Sequence, residues 1–208
     1  MCNENRRRVA LDLIIEGFSQ VRIPLRFPEG MPNLEPLDSI RITDRNAIVR
    51  APANDPDAPS GSAELVVRRW SWPGPNGKPV YNFRSEGREF GNSASGGRCL
   101  IVADGFYEFT TPATEPGAPK PRRKDKWLFT RKDEPWFCIA GIWRTSAEVG
   151  EAFTMLTAEP GPDVAPYHSR QILVLDRADW ASWLDPKVPA REVLKPAPAG
   201  TFEVEKVG

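Results

Sequence analysis

The sequence predicts an α+β fold: one strand-rich domain with few short helices. Three observations carry this. Twenty-two Pro and sixteen Gly are spread through 208 residues and interrupt nearly every window long enough for a helix. Short apolar runs with β-branched or aromatic centres recur between those breaks. Apolar residues recur at helical spacing over a full window only near the N-terminus, and a second, short helical stretch follows residue 175.

Taken in order, Val9, Ala10, Leu13, Ile14, Gly17, Phe18 and Val21 share one helical face, which predicts a helix over about 7–20. Pro24, Pro28, Pro32 and Pro36 then forbid regular helix. Strands are expected at 39–43 and 47–50, followed by a polar loop over 54–62. The 64–72 strand ends in Trp70 and Trp72, flanked by Arg68 and Arg69. Residues 73–77 form a turn. Over 80–86, Asn82, Arg84 and Glu86 alternate and would share one strand face, either a polar cleft wall or the wet side of a sheet. A Gly/Ser-rich loop leads to Cys99–Ala103, a buried strand, which Asp104-Gly105 breaks before Phe106, Tyr107 and Phe109 resume it. Residues 110–126 read as a hairpin loop with the basic cluster Lys120, Arg122, Arg123, Lys124 and Lys126. Further strands are expected at 127–130, 136–143, 153–157 and 172–175, then a short helix at 176–184 carrying Trp180 and Trp183. The domain should end near 185. Residues 186–208, rich in Pro and Ala, should form a tail with room for one edge strand.

Composition excludes several classes. Twenty-eight basic and 28 acidic side chains cancel, so no global field draws the protein to nucleic acid, and any anion site must be a local patch. No run approaches 18 apolar residues, and the N-terminus lacks an apolar signal core. A cytoplasmic location is expected, without a membrane. Cys2, Cys99 and Cys138 lack metal-type spacing; neither a disulfide framework nor a metal or other cofactor is expected. Cys138 sits in an apolar run and reads as a buried hydrophobe.

Five side chains suggest chemistry. Cys2 follows the initiator Met and is small enough for that Met to be removed. The product would carry an α-amine, with a pKa of roughly 7.7–8.0, beside a thiol of about 8.5. That pair condenses with an aldehyde to an imine and then a five-membered thiazolidine, which no internal Cys can do. The plain alternative is a chance Cys at the start. Glu108 stands among three aromatics, where lost hydration raises a carboxyl pKa and suits it to proton transfer; otherwise it is a strand Glu facing water. His168 is the sole histidine. Trp70 and Trp72 beside arginines suit stacking on unpaired bases, or simply core packing.

Met1-Cys2, Asn82-Phe83-Arg84-Ser85-Glu86, Arg98 through Phe109, Ala140-Gly141-Ile142-Trp143, and Thr157 with His168-Ser169-Arg170 occur together in this order. The chain thereby resembles the SRAP family, the SOS-response-associated peptidases, regarded as abasic-site DNA–protein crosslinkers, over about residues 1 to 185. The resemblance implies a mixed α+β domain with barrel-like antiparallel sheets and a positive cleft for single-stranded DNA. It implies Cys2 as the crosslinking nucleophile, Glu108 as proton carrier, His168 as the group that opens the sugar, and Asn82 as the residue that positions the N-terminus. Arg84 would bind phosphate and Trp70 stack on a base, while Thr157 and Arg170 line the cleft. The implied function is a covalent sensor of abasic single-stranded DNA in the DNA-damage response, with lyase activity, acting as a monomer. A Cys-dependent peptidase or amidohydrolase, as the family's older name implies, and a non-catalytic single-strand-binding module are the alternatives. Asn3-Glu4 stands where the family has Gly-Arg, Ile40 to Asp44 replaces an Asn-x-Ala-Pro stretch, and Phe83 replaces Ala. These departures bear on DNA contact more than on the chemistry.

Overall fold

The computed structural model describes residues 2–52, 58–113, 121 and 123–208. In chain order the elements are β1 (Glu4–Arg7), α1 (Leu11–Gln20), β2 (Leu25–Arg26), β3 (Leu37–Arg41), β4 (Arg45–Arg50), β5 (Ala63–Trp70), β6 (Trp72–Pro73), β7 (Pro79–Val80), β8 (Asn82–Arg84), β9 (Gly96–Ala103) and β10 (Gly105–Thr110). They continue with β11 (Asp125–Arg131), β12 (Phe137–Ser146), β13 (Gly150–Ala158), β14 (Gln171–Ile172), β15 (Val174–Leu175), a 3-10 turn (Arg177–Asp179), α2 (Trp180–Leu184), α3 (Ala190–Val193) and β16 (Phe202–Lys206). The fold is mixed α+β and strand-rich.

Strands β13, β12, β9, β4 and β5 pair in that order, and β5 pairs back to β13 in parallel through Phe153 and Trp70, which closes a five-stranded barrel. Alternation along the strands divides the apolar residues into two sets. Ile48, Ile101 and Ile139 stand directly opposite one another and belong to one core, while the next row, Val49, Leu100 and Ala140, belongs to the other. The second core is covered by Ile14 and Phe18 of α1 and by Trp180 and Trp183 of α2. Gly141 is required where the first core is tightest: a Cβ there would stand 2.6 Å from Ile101 Cδ1 and 2.8 Å from the Thr154 carbonyl.

A second sheet, ordered β16-β11-β10-β1-β3, shares the Ile48–Ile101–Ile139 core through Ile40, Phe106, Phe129 and Phe202. The chain passes from barrel to second sheet at Asp104, the break read from the sequence. Asp104 then clamps β1: its carboxylate accepts from Arg6 Nε at 2.6 Å and from the Arg8 amide at 2.6 Å. On the other side, Arg7 Nε donates to Asn46 Oδ1 at 3.0 Å and Asn46 Nδ2 to the Val102 carbonyl at 3.0 Å. These bonds between fully or nearly buried groups fix the strand that follows Cys2.

One expectation changes. The first helix starts at Leu11 rather than about residue 7, because β1 pairs with both β10 and β3 and so draws Arg7 into a sheet. The edge strand for which residues 186–208 leave room is β16, at the end of the second sheet. β16 pairs along its length with β11, and the Phe202 ring packs edge-on against Phe106 at 5.3 Å.

Candidate active site

Cys2 precedes β1 and is 1% exposed. Its Sγ donates to the Glu4 carbonyl at 3.3 Å, and its own carbonyl accepts from Asn82 Nδ2 at 2.7 Å. Asn82 reaches this position because β8 adds in parallel to β13, with Asn82 opposite Met155. Met1 lies outside the described residues.

Glu108 comes from β10, between Tyr107 and Phe109 and opposite Trp127 of β11. It is 1% exposed. Burial raises its carboxyl to about 7, while the positive chain terminus and the Cys2 backbone N–H pull the other way. The backbone nitrogen of Cys2 is therefore held against the carboxyl whose proton affinity lies nearest neutrality. Burial, and then the Glu108 charge, push the Cys2 thiol well above its ordinary value. This corrects the expectation of a partly ionised thiol: in the folded protein it is held protonated.

Glu108, His168, Tyr81, Phe109, Asn3 and Lys124 line one cleft of 390 Å³. His168 sits ahead of β14, its Nδ1 2.9 Å from the Arg170 amide and 3.2 Å from the Arg170 carbonyl; the shorter contact favours the tautomer that accepts there and carries its proton on Nε2. Burial and the positive chain terminus lower its pKa, so the ring is neutral at pH 7. A larger cavity of 620 Å³, lined among others by Arg131, Asp176 and Lys195, touches none of these groups. The smaller cleft is the candidate because it joins a titratable carboxyl to the imidazole.

The DNA-contact expectations fare differently. Arg84 is exposed, opposite Thr157, and makes no ion pair among the described residues. Trp70 is corrected: it is 0% exposed in the barrel core, so neither face of its ring is open to a base. Its indole N–H donates instead to the Tyr81 carbonyl at 2.8 Å, and its ring meets Tyr81 edge-on at 6.3 Å. Trp70 thus seats the aromatic residue that does line the cleft. Thr157 is 1% exposed and lines no open wall. Arg170 is committed to Glu86 through both guanidinium nitrogens and donates to the Thr157 carbonyl at 2.8 Å. The Arg170–Glu86 pairing holds the Glu86 carboxyl down at about 2. Of the basic loop cluster, Lys120 and Arg122 lie outside the described residues, and Lys124 enters the cleft.

The sequence marks Tyr81 only as part of the 80–86 strand, between the 73–77 turn and Asn82. By the resemblance, Glu4 puts an anion beside Cys2 where the family has a cation. The structure shows Glu4 buried, accepting from Lys126 Nζ at 2.6 Å and from Ser39 Oγ at 2.6 Å. Among the described residues no cluster of His, Cys, Asp and Glu is arranged to hold a metal ion, and no helix is long and apolar enough to cross a membrane.

Three solved structures share this fold. A protein from Bordetella bronchiseptica is 22% identical, each chain covered over 100% of its length, with a TM-score of 0.66. A phage-related protein from the same organism is 19% identical over 99% of this chain and 94% of that one, with a TM-score of 0.72. A protein from Bacteroides thetaiotaomicron is 14% identical over 100% of this chain and 92% of that one, with a TM-score of 0.62. None of the curated proteins matches the chain. The family model of the SOS response associated peptidase (SRAP) matches residues 29–208, β16 and the C-terminal segment included, and the chain belongs to that family.

Proposed function

We propose that this protein senses abasic sites in single-stranded DNA and crosslinks to them through Cys2 once Met1 is removed. The observation that carries the reading is the buried Glu108 carboxyl, raised to about 7, with the Cys2 backbone N–H among the groups that act on it. Removal of Met1 makes that same nitrogen the α-amine, already beside its proton acceptor, while Asn82 fixes the residue through the carbonyl.

The steps follow from the groups present. Opening of the abasic sugar moves the anomeric hydroxyl's proton to the ring oxygen as the bond between C1′ and the ring oxygen breaks; neutral His168 relays it, giving one proton to the ring oxygen and taking the hydroxyl's in exchange, and the aldehyde is freed. Glu108 as carboxylate takes a proton from the Cys2 ammonium. The amine adds to the aldehyde carbon, and Glu108 as acid protonates the departing hydroxyl, giving a protonated imine and one water. Glu108, a carboxylate again, takes the thiol proton as Cys2 Sγ bonds to the imine carbon, the C=N electron pair passes to nitrogen, and the neutral thiazolidine closes. One carboxyl near neutrality serves each of these transfers.

The raised thiol weighs against a Cys-dependent hydrolase, which needs a standing thiolate. The test is intact mass after mixing the protein with single-stranded DNA carrying one abasic site. A denaturation-resistant adduct on protein lacking Met1 is expected. Full crosslinking by protein that retains Met1 would overturn the thiazolidine route. Peptide cleavage would favour the hydrolase, and reversible association alone a binding module. The site of action proposed is the cytoplasm, on DNA exposed during the SOS response, with the protein acting as a monomer.

A further inference from the structure

We propose that Arg45, Arg69 and Arg144 form a row on the barrel surface that binds the phosphate backbone of a single strand beyond the cleft, a reading that rests on the proposed function. The row is built by register. Arg45 of β4 stands opposite Arg69 of β5, Arg69 opposite Ala152 of β13, and Ala152 opposite Arg144 of β12. Residues directly opposite across paired strands project from the same face, so the three guanidinium groups share one side with Ala152 as a small, buried floor between them.

Like charges placed directly opposite destabilise a sheet. Here Arg45 and Arg69 are so placed in a chain whose net charge is zero, and what meets them within the described residues is backbone carbonyls, Val67 for Arg45 at 2.7 Å and Thr43 for Arg69, with Glu29 acting on Arg45 only through space. None of the three makes an ion pair there. The carboxylates that could do so are committed elsewhere: Glu29 and Glu151 to Arg68, and Asp44 to the Arg41 amide at 2.8 Å. Arg69 Nε is buried with no hydrogen-bond partner, and Nη1 reaches only the Thr43 carbonyl at 3.4 Å. The Arg144 guanidinium lies 5.1 Å from the centre of the Trp72 ring, which holds it on the surface without neutralising it. Arg45 and Arg144 are exposed.

Three oriented, unneutralised guanidinium groups fit a run of phosphates. The row is also close to the cleft. Ala152 lies three residues along β13 from Met155, the partner of Asn82, about 10 Å at strand rise, and alternation turns the two to opposite faces, so a bound strand rounds the edge of the sheet between cleft and row. Arg69 adjoins Trp70, whose indole carries Tyr81 of the cleft wall. A strand with its abasic sugar in the cleft would therefore meet this row only when it extends past the lesion.

The experiment compares wild type with the double variant Arg45→Gln, Arg144→Gln on two abasic single strands, one spanning the cleft alone and one several nucleotides longer. Both substituted side chains are exposed, so the fold is not at issue, and Arg69→Lys serves as a second, milder variant. The expected result is weaker binding of the longer strand, with the slope of log affinity against log salt shallower by about 1.4, roughly 0.7 for each lost phosphate contact. Binding of the short strand and the single-turnover crosslinking rate at saturating DNA should be unchanged. Unaltered affinity and slope on the longer strand, or equal losses on both strands, would overturn the row. Failure of wild type to crosslink while the length-dependent salt effect persists would overturn the proposed function and leave the row standing.

Discussion

Two clusters of buried charge sit in this molecule and are built in opposite ways. In the first, Arg50 lies 3.4 Å from Glu64 and 3.0 Å from Glu151, and Arg68 joins Glu151 to Glu29. The Arg50 guanidinium also rests 4.1 Å from the centre of the Trp143 ring. Burial would pull the Arg68 guanidinium down, yet Glu29 and Glu151 hold it above its ordinary value, and Arg68 in turn lowers Glu29. Every charge there is locked by an opposite one. In the second cluster Glu108 is surrounded by aromatic rings and the Cys2 backbone, and its carboxyl is moved to about 7. Pairing removes a group from proton chemistry at neutral pH, whereas burial among rings delivers it to that chemistry.

The comparison can be broken most sharply at Cys2. Cys2→Ala should lose the durable adduct altogether, keeping at most an imine that reducing agents trap, and denaturing gels will register the loss. Next in size, Glu108→Gln should slow single-turnover crosslinking by about 10²–10⁴, the usual cost of removing a general acid–base group, with DNA affinity near wild type. Reversal of a preformed adduct should slow as well, because the same transfers run backwards; wild-type rates in both directions would reduce Glu108 to a strand residue. In the paired cluster, Arg50→Ala should cost about 3–5 kcal/mol in urea unfolding, since it strands the buried Glu64 carboxylate, while folded protein crosslinks at the wild-type rate. A loss of rate without loss of stability would erase the distinction between the clusters.

The smallest effect is a pH dependence of stability, and its sign follows from Glu108. The folded carboxyl at about 7 lies above its unfolded value, so the folded state holds a proton that the unfolded state has released between roughly pH 4.5 and 7. Its contribution is fully present below that window and is lost as pH rises through it. Wild type should therefore lose about 3 kcal/mol relative to Glu108→Gln between those limits and stay level above them. Parallel curves for the two proteins would show that Glu108 is not raised.

Much of this was legible locally. The Cys99–Ala103 run, the break at Asp104-Gly105 and the aromatic strand around Glu108 are short-range patterns, and a β-branched apolar run flanked by a turn specifies them with little help from the rest of the chain. The same holds for Asn82 on a short polar strand. What the sequence could not carry is which of its chemical residues stay available. Trp70 reads as a stacking residue beside arginines, but the parallel closure of β5 on β13 buries it. Arg170 reads as a cleft cation, but Glu86, 84 residues away, takes its guanidinium. Glu4 reads as an anion against the nucleophile, but Lys126, 122 residues on, neutralises it. The sequence by itself thus determined the strands, the turn between the two sheets and the identity of the reactive groups. The tertiary structure alone decided burial, charge pairing and the meeting of Cys2 with Glu108. Those depend on contacts between distant segments, whereas strand and turn propensities are set by near neighbours.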